Sequence, residues 1–150
     1  ALIGFAGGPW TVATYMIEGK GSPNKEIAKR FAYENPEAMA DLLEALVIST
    51  AEYLIGQAKA GANVLKIFES WAEGLAPDLF DRLVINPTRD IIARVRAAGI
   101  TVPIMGFPRG SGLNAIRYAH ETGITGIAAQ DKIDSSSLYL PNTGSRASTT

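Results

Sequence analysis

The chain has 150 residues, a formal net charge of −1 and an ordinary composition, 47% hydrophobic and 19% charged. This length suffices for one core-forming domain, and the small charge gives no global field that would recruit nucleic acid or an anionic membrane surface. The absence of cysteine and the single histidine exclude disulfides, thiolate nucleophiles and thiolate or histidine-rich metal sites within this chain. No apolar stretch has the roughly 20 residues of a membrane-spanning helix and no signal peptide opens the sequence, so we expect a cytoplasmic protein.

Short apolar runs predict parallel β-strands separated by helices. The runs are continuous rather than strictly alternating, which is typical of strands covered on both faces. The predicted strands are Leu2–Ala6, Asn63–Phe68, Val102–Phe107 and Ile124–Ala129. Because the first run begins at once and no methionine precedes it, we expect the chain to be a piece of a longer protein.

Proline and glycine mark the predicted helices between these strands. Ser22-Pro23 and Asn35-Pro36 each combine an N-cap residue with a first-turn proline, so each predicts a helix start. Pro77 opens another helix, which Pro87 should break or kink, and a shorter helix is predicted over Gly112–Thr122. The helix after Asn35 carries an apolar stripe expected to pack in the core, formed by Met39, Leu42, Leu43, Leu46, Thr50, Tyr53 and Leu54.

The resulting order, β-α-β-α-β-α-β, predicts an α/β fold with parallel strands and right-handed crossovers. An open doubly wound sheet and an eight-stranded β/α barrel both use this order. A barrel takes about 250 residues, so this chain would form a partial (β/α)8 TIM barrel over residues 1–131. Residues 132–150 are rich in serine and threonine with little periodicity, and we expect a disordered or divergent tail.

Three loops that follow strand ends are the best candidates for a functional cleft, because the carboxyl ends of parallel strands carry the functional loops. The loops span residues 5–10, 68–72 and 107–112. Each begins with phenylalanine and continues into small or polar residues, which suits a flat, largely apolar ligand. Glu69, in the second loop, is expected to be a rim charge or part of the loop structure.

Strand alternation predicts which side chains share the face of this cleft. If Ser70 faces the mouth of the barrel, then Phe68 and Lys66 lie on the same face, while Leu65 and Ile67 face the helices. A lysine in a barrel interior needs a carboxylate or water partner, because an unpaired buried charge is costly.

Three segments of the sequence, "LIGFAGGPWTVATYMIEGKGS", "KIFESWAEGLAP" and "IMGFPRG", resemble diagnostic segments of the uroporphyrinogen decarboxylase family, and the likeness extends from residue 1 to about residue 126. The resemblance implies a TIM barrel, usually a homodimer, that acts in haem and porphyrin biosynthesis. The implied reaction removes the four acetate carboxylates of uroporphyrinogen III to give coproporphyrinogen III, without a cofactor or a metal.

The resemblance also implies roles for individual residues. Tyr15 matches the tyrosine of the TYM-EG segment and Ser70 the serine of the FxS segment, and both would hydrogen-bond substrate carboxylates. Phe5 and Phe68 match apolar walls that pack against the macrocycle, and the Gly7-Gly8 pair would let the ring approach the backbone. No catalytic residue is assigned, because the family's aspartate and carboxylate-binding arginines have no counterpart here. We therefore expect the chain to carry part of an active site.

Two alternatives remain open from the sequence. One is a non-catalytic half-barrel scaffold or binding fragment, whose two unpaired parallel edges would make it aggregate or associate with another chain. The other is a related corrinoid-dependent methyltransferase. Such enzymes bind zinc through histidine and cysteine, so the absence of cysteine argues against this alternative.

Overall fold

A computed structural model describes residues 1–20, 24–128 and 138–139, in which strands and helices alternate. The strands are β1 (Ile3–Gly7), β2 (Val64–Glu69), β3 (Ile104–Pro108), β4 (Gly126–Ala128) and β5 (Leu138–Tyr139). The helices are α1 (Pro9–Glu18), α2 (Glu26–Glu34), α3 (Pro36–Lys59), α4 (Pro77–Phe80), α5 (Asn86–Ala97) and α6 (Asn114–Glu121), and a π-helical segment, Asp81–Ile85, joins α4 to α5.

The sheet confirms the predicted α/β class and indicates a barrel rather than a doubly wound sheet. β1, β2, β3 and β4 are parallel and neighbour one another in chain order, with Ile3 opposite Val64 and Leu65 opposite Ile104. A doubly wound sheet reverses its strand order at a switch point, whereas a β/α barrel adds each strand beside the preceding one. The short β5 pairs antiparallel with β4.

The hydrophobic core lies between one face of this sheet and the helices. Leu65, Ile67 and Ile104 point toward the helices and are fully buried, and they belong to one cluster with apolar residues of α3 and α5. The opposite face, which we call the open face, is less covered: Ile3 is 57% exposed and Phe5 is 61% exposed. The alternation predicted for β2, with Leu65 and Ile67 toward the helices, is confirmed.

Two helix predictions differ from the structure. The helix predicted to open at Ser22-Pro23 begins instead at Glu26, after Lys25, which adopts a left-handed φ of 53°; Ser22 and Pro23 lie outside the described residues. Tyr53, predicted in the core stripe of α3, is 60% exposed. Leu54 is fully buried, and because adjacent helical residues are turned about 100° apart, Tyr53 points away from the core.

Pro87 neither ends nor interrupts the helical path that begins at Pro77. The chain stays helical from α4 to the end of α5, and the π-helical segment lies directly before Pro87. A proline inside a helix removes one hydrogen bond and crowds the carbonyl of the residue four positions earlier, here Leu83. The wider π-helical segment contains Leu83, and it absorbs the distortion that the sequence predicts as a break or a kink.

The carboxyl-terminal part of the chain is described in less detail. β4 is shorter than the predicted strand Ile124–Ala129, and Ala129 lies outside the described residues. Of the predicted tail, residues 132–150, the structure describes Leu138–Tyr139, so the tail stays a prediction. Among the described residues, no helix combines the length and hydropathy that a bilayer span requires.

Candidate active site

Three phenylalanines form a continuous aromatic row across the open face, with Phe5 in the middle of β1 and Phe68 and Phe107 near the carboxyl ends of β2 and β3. Phe5 and Phe68 meet edge to face with ring centroids 6.1 Å apart, and Phe68 meets Phe107 in the same way at 6.0 Å. The strand register places Phe68 directly opposite Phe107. It places Phe5 diagonally from Phe68, since Phe5 lies opposite Lys66 and Phe68 lies opposite Gly7. The structure thus brings together Phe5, Phe68 and Phe107, the phenylalanines of the three predicted loops; the packing of Phe5 and Phe68 against a macrocycle stays a prediction.

Lys66 lies on the same face as this aromatic row, as the strand alternation predicts. Its Nζ is 4.7 Å from the centroid of the Phe68 ring and 5.6 Å from that of Phe107. Both distances are within the range of a cation–π interaction. In the structure the ammonium group of Lys66 therefore interacts with two aromatic rings, those of Phe68 and Phe107. The open face thus combines an apolar surface with one positive charge.

Tyr15 lies on α1, and Ser70 lies on the loop that directly follows β2, the strand that carries Phe68. Tyr15, on α1, is 55% exposed, and its ring meets Trp71 edge to face at 6.1 Å. Ser70 directly precedes Trp71 and is partly exposed. Both side chains are therefore found where α1 approaches the end of β2, although their role toward a ligand stays a prediction.

Backbone and side-chain hydrogen bonds hold α1 against the end of β2. The Gly8 N–H donates to the carbonyl of Phe68 at 2.6 Å, and the indole N–H of Trp10 donates to the carbonyl of Trp71 at 2.9 Å. The hydroxyl of Thr11 accepts the N–H of Ser70 at 2.9 Å. These bonds fix the start of the helix that carries Tyr15 relative to the loop that carries Ser70.

Glu69 completes this connection from the buried side of the sheet. Its Oε2 accepts hydrogen bonds from the Thr11 hydroxyl at 2.9 Å and from the Thr11 N–H at 3.1 Å, and the side chain is fully buried. Burial raises the pKa of Glu69 to about 8, and the hydrogen bonds from Thr11 oppose that rise. A Cβ at Gly8 would collide with the Glu69 carboxyl group. Gly8 is therefore required by packing, whatever ligand approaches the turn.

Tyr118 shares this buried environment from the side of α6. The ring is fully buried and occupies the space that a Cβ at Gly106 would need. Burial raises the pKa of the Tyr118 phenol, and the charge that Glu69 carries when ionised raises it further. The phenol therefore stays neutral, and it can act as a hydrogen-bond group but not as a base.

A comparison with protein-family models decides the family. The uroporphyrinogen decarboxylase model matches residues 1–144, which is nearly the whole chain. This chain belongs to the uroporphyrinogen decarboxylase family. Among similar proteins, the uroporphyrinogen decarboxylase of Maricaulis maris is 57% identical over 133 residues, which are 89% of this chain and 39% of the relative. Those of Phenylobacterium zucineum and Caulobacter vibrioides are 57% and 58% identical over 128 residues, or 85% of this chain and 37% and 36% of the relatives.

The chain thus spans less than two fifths of the length of the decarboxylases it matches. The family membership confirms the resemblance that the motifs indicate. No group of three or more histidine, aspartate and glutamate side chains that could hold a metal ion occurs within the described residues. What the described residues of this chain offer is an aromatic surface, Phe5, Phe68 and Phe107, with the positive charge of Lys66 beside it.

Sequence reasoning missed the position of Glu69, which it treats as a rim charge or loop residue. The residue is the third of an alternating set, after Leu65 and Ile67, so the same parity that places those two toward the helices also places Glu69 there. The burial of Glu69 could have been predicted from two features of the sequence: its helix-facing position in β2, and the Gly7-Gly8 turn that leaves space for its carboxyl group.

Proposed function

We propose that this chain forms the part of a uroporphyrinogen decarboxylase that binds the macrocycle and its acid side chains. The observation that carries the proposal is the aromatic row, Phe5, Phe68 and Phe107, on the open face of the parallel strands. Tyr15 and Ser70 lie on the adjoining α1 and on the loop after β2, where Tyr15 meets Trp71. A flat apolar ligand gains contact area on such a row, and hydroxyl groups at its rim are suited to carboxylates.

The chemistry of the reaction fits a site that mainly positions its substrate. In each decarboxylation the bond between the acetate methylene and its carboxylate breaks, carbon dioxide leaves, and a proton takes its place on the methylene. A protonated pyrrole ring accepts the electron pair, so the protein needs to orient the side chain and supply a proton donor. In this proposal Tyr15 and Ser70 hold carboxylates, and the aromatic row orients the ring.

The proposal includes a homodimer of the longer protein, a cytoplasmic location and no nucleic-acid partner. The net charge of −1 supports the last point, because binding to nucleic acid depends on neutralising phosphates with a basic surface. Light scattering of the longer protein tests the dimer.

A chimera provides the direct test, because the chain matches 39% of the Maricaulis maris decarboxylase at 57% identity. The chain replaces the matching segment of that enzyme, and carbon dioxide release from uroporphyrinogen is followed. We expect turnover, and we expect Tyr15→Phe and Ser70→Ala to raise KM. Tyr53→Phe and Ser49→Ala, on the exposed surface of α3, are the matched controls.

Two outcomes would contradict the proposal. A folded chimera that binds uroporphyrinogen without turnover would favour the non-catalytic binding fragment. A chimera in which the Tyr15 and Ser70 variants behave like their controls would show that the site residues are assigned wrongly.

A further inference from the structure

A cavity beside Trp71 carries two lysines, and none of the three phenylalanines of the aromatic row lines it. Its volume is about 260 Å³. It is lined by Asn24, Lys25, Lys29, Trp71, Glu73 and Gly74. Trp71 is also the residue that meets the Tyr15 ring, so this cavity adjoins the site described above.

Lys25 is the unusual member of this group. Its residue surface is 5% exposed, and its Nζ lies 3.9 Å from the centroid of the Trp71 ring. Among the described residues, no carboxylate lies within ion-pair distance of Lys25; the ion pairs found there involve Arg117. The side chain as a whole is largely covered, and the aromatic face of Trp71 compensates the lost hydration of the ammonium group in part. An anion would compensate it more fully, because charged groups that lose water are normally paired. The fold therefore holds a positive charge whose anion is not supplied by the described residues.

Two further groups of the cavity can interact with an anion. Lys29 follows Lys25 by one helical turn, and its Nζ lies 3.5 Å from the point where a Cβ at Gly74 would be. The indole Nε1 of Trp71 is buried, and it has no hydrogen-bond partner among the described residues. Glu73 contributes one negative charge to the lining, which leaves the two lysines in excess.

We propose that Lys25, Lys29 and the indole N–H of Trp71 form a carboxylate-binding site that takes one acetate or propionate side chain of a porphyrinogen. Ammonium groups and an N–H donor are the partners of a carboxylate, and the cavity has room for a short acid chain but not for a pyrrole macrocycle. This inference rests on the proposed function, since it assigns a subsite to the same substrate.

The test uses the full 150-residue chain and a small probe, a monopyrrole with one acetate and one propionate side chain. Trp71 lies in the site and Trp10 is fully buried, so tryptophan fluorescence reports binding. We expect saturable binding in the wild type, and Lys25→Met to weaken it by about tenfold or more. Lys59→Met, which removes an equal charge from the exposed end of α3, should change it less than about twofold.

Lys29→Met and Lys25→Arg keep the test valid if Lys25→Met does not fold. We expect the first to weaken binding and the second to retain most of it, and we expect the probe to raise the unfolding temperature of the wild type. The site would be overturned if the Lys25→Met and Lys59→Met variants bind the probe equally well. It would also be overturned if the fluorescence of the wild type does not change at probe concentrations on the order of millimolar. Inorganic phosphate binding as tightly as the probe would overturn its assignment to a substrate carboxylate.

The chimera separates this inference from the proposed function. If the chimera is inactive but Lys25→Met still weakens probe binding, the carboxylate site stands and the proposed function fails. If the chimera is active and Lys25→Met leaves its KM unchanged, the function stands and the site fails. If both the proposed function and the carboxylate site are correct, Lys25→Met should raise the KM of the chimera with little change in kcat. The reason is that Lys25 would hold a substrate carboxylate equally in the ground state and in the transition state.

Discussion

The buried carboxyl group of Glu69 makes the stability of this fold depend on pH. Glu69 is fully buried, and its Oε1 has no hydrogen-bond partner among the described residues. Burial raises its pKa from 4.5 to about 8. Between these two values the unfolded chain has released the proton of Glu69 while the folded chain keeps it. The folded state therefore binds more protons, and the free energy of unfolding falls as the pH rises.

The size of the effect follows from the gap between the two pKa values. Each pH unit within the gap costs about 1.4 kcal/mol, so the loss from pH 4.5 to pH 8 is about 5 kcal/mol. Above pH 8 both states are ionised at Glu69 and this contribution becomes constant. A loss of this size is comparable to the whole stability of many small domains, which is about 5–15 kcal/mol. The Glu69→Gln variant keeps the shape and an acceptor for Thr11, and it lacks the titration.

Urea unfolding followed by circular dichroism at pH 5, 6, 7 and 8 measures this effect. We expect the free energy of unfolding of the wild type to fall steadily across the series, and that of Glu69→Gln to fall much less. Glu52→Gln, an exposed carboxylate on α3, should follow the wild type. Parallel pH profiles for the wild type and Glu69→Gln would refute the reasoning, because they would show that Glu69 titrates alike in both states.

Other substitutions test the packing around Glu69 by the same unfolding measurement. Gly8→Ala should destabilise the fold by about 3 kcal/mol, because the new Cβ collides with the buried carboxyl group. Gly56→Ala, in α3 with open space at the Cβ, should instead stabilise it by up to about 1 kcal/mol; a loss there would be contrary to expectation. Thr11→Val removes the hydroxyl between Glu69 and Ser70 and should cost about 1–3 kcal/mol. Thr11→Ser should recover most of that loss, and equal stabilities of the two variants would argue against the hydroxyl's role.

The order and type of the main elements could be predicted because their signals are local. The four parallel strands appear as apolar runs, and Pro36 and Pro77 mark helix starts that the structure retains. The failures have non-local or cooperative causes. The helix after Lys25 starts late although its proline signal is earlier, and Pro87 is tolerated because the preceding turn widens. Propensity at one residue does not specify how neighbouring turns adjust.

In the candidate site, too, local features could be predicted from the sequence and long-range contacts could not. The alternation of β2 predicts the face of Phe68 and Lys66, and the register supplies the contact with Phe107. The partner of Glu69 is 58 residues distant in the sequence, at Thr11. Likewise the ammonium group of Lys25 lies over the ring of Trp71, which belongs to a different loop. The two residues of each pair are far apart in the sequence, so local sequence patterns could not predict that they meet in the folded chain.

The end of β2 carries chemistry on both of its faces, and the two faces constrain each other. Phe68 belongs to the open face, and Glu69 points to the buried side. Since adjacent strand residues share a peptide unit, holding the Glu69 side chain on Thr11 also fixes the backbone that presents Ser70, whose N–H Thr11 accepts. A change at Glu69 should therefore shift Ser70 without touching any ligand. Ser70→Ala should alter ligand binding and leave the pH dependence of stability intact.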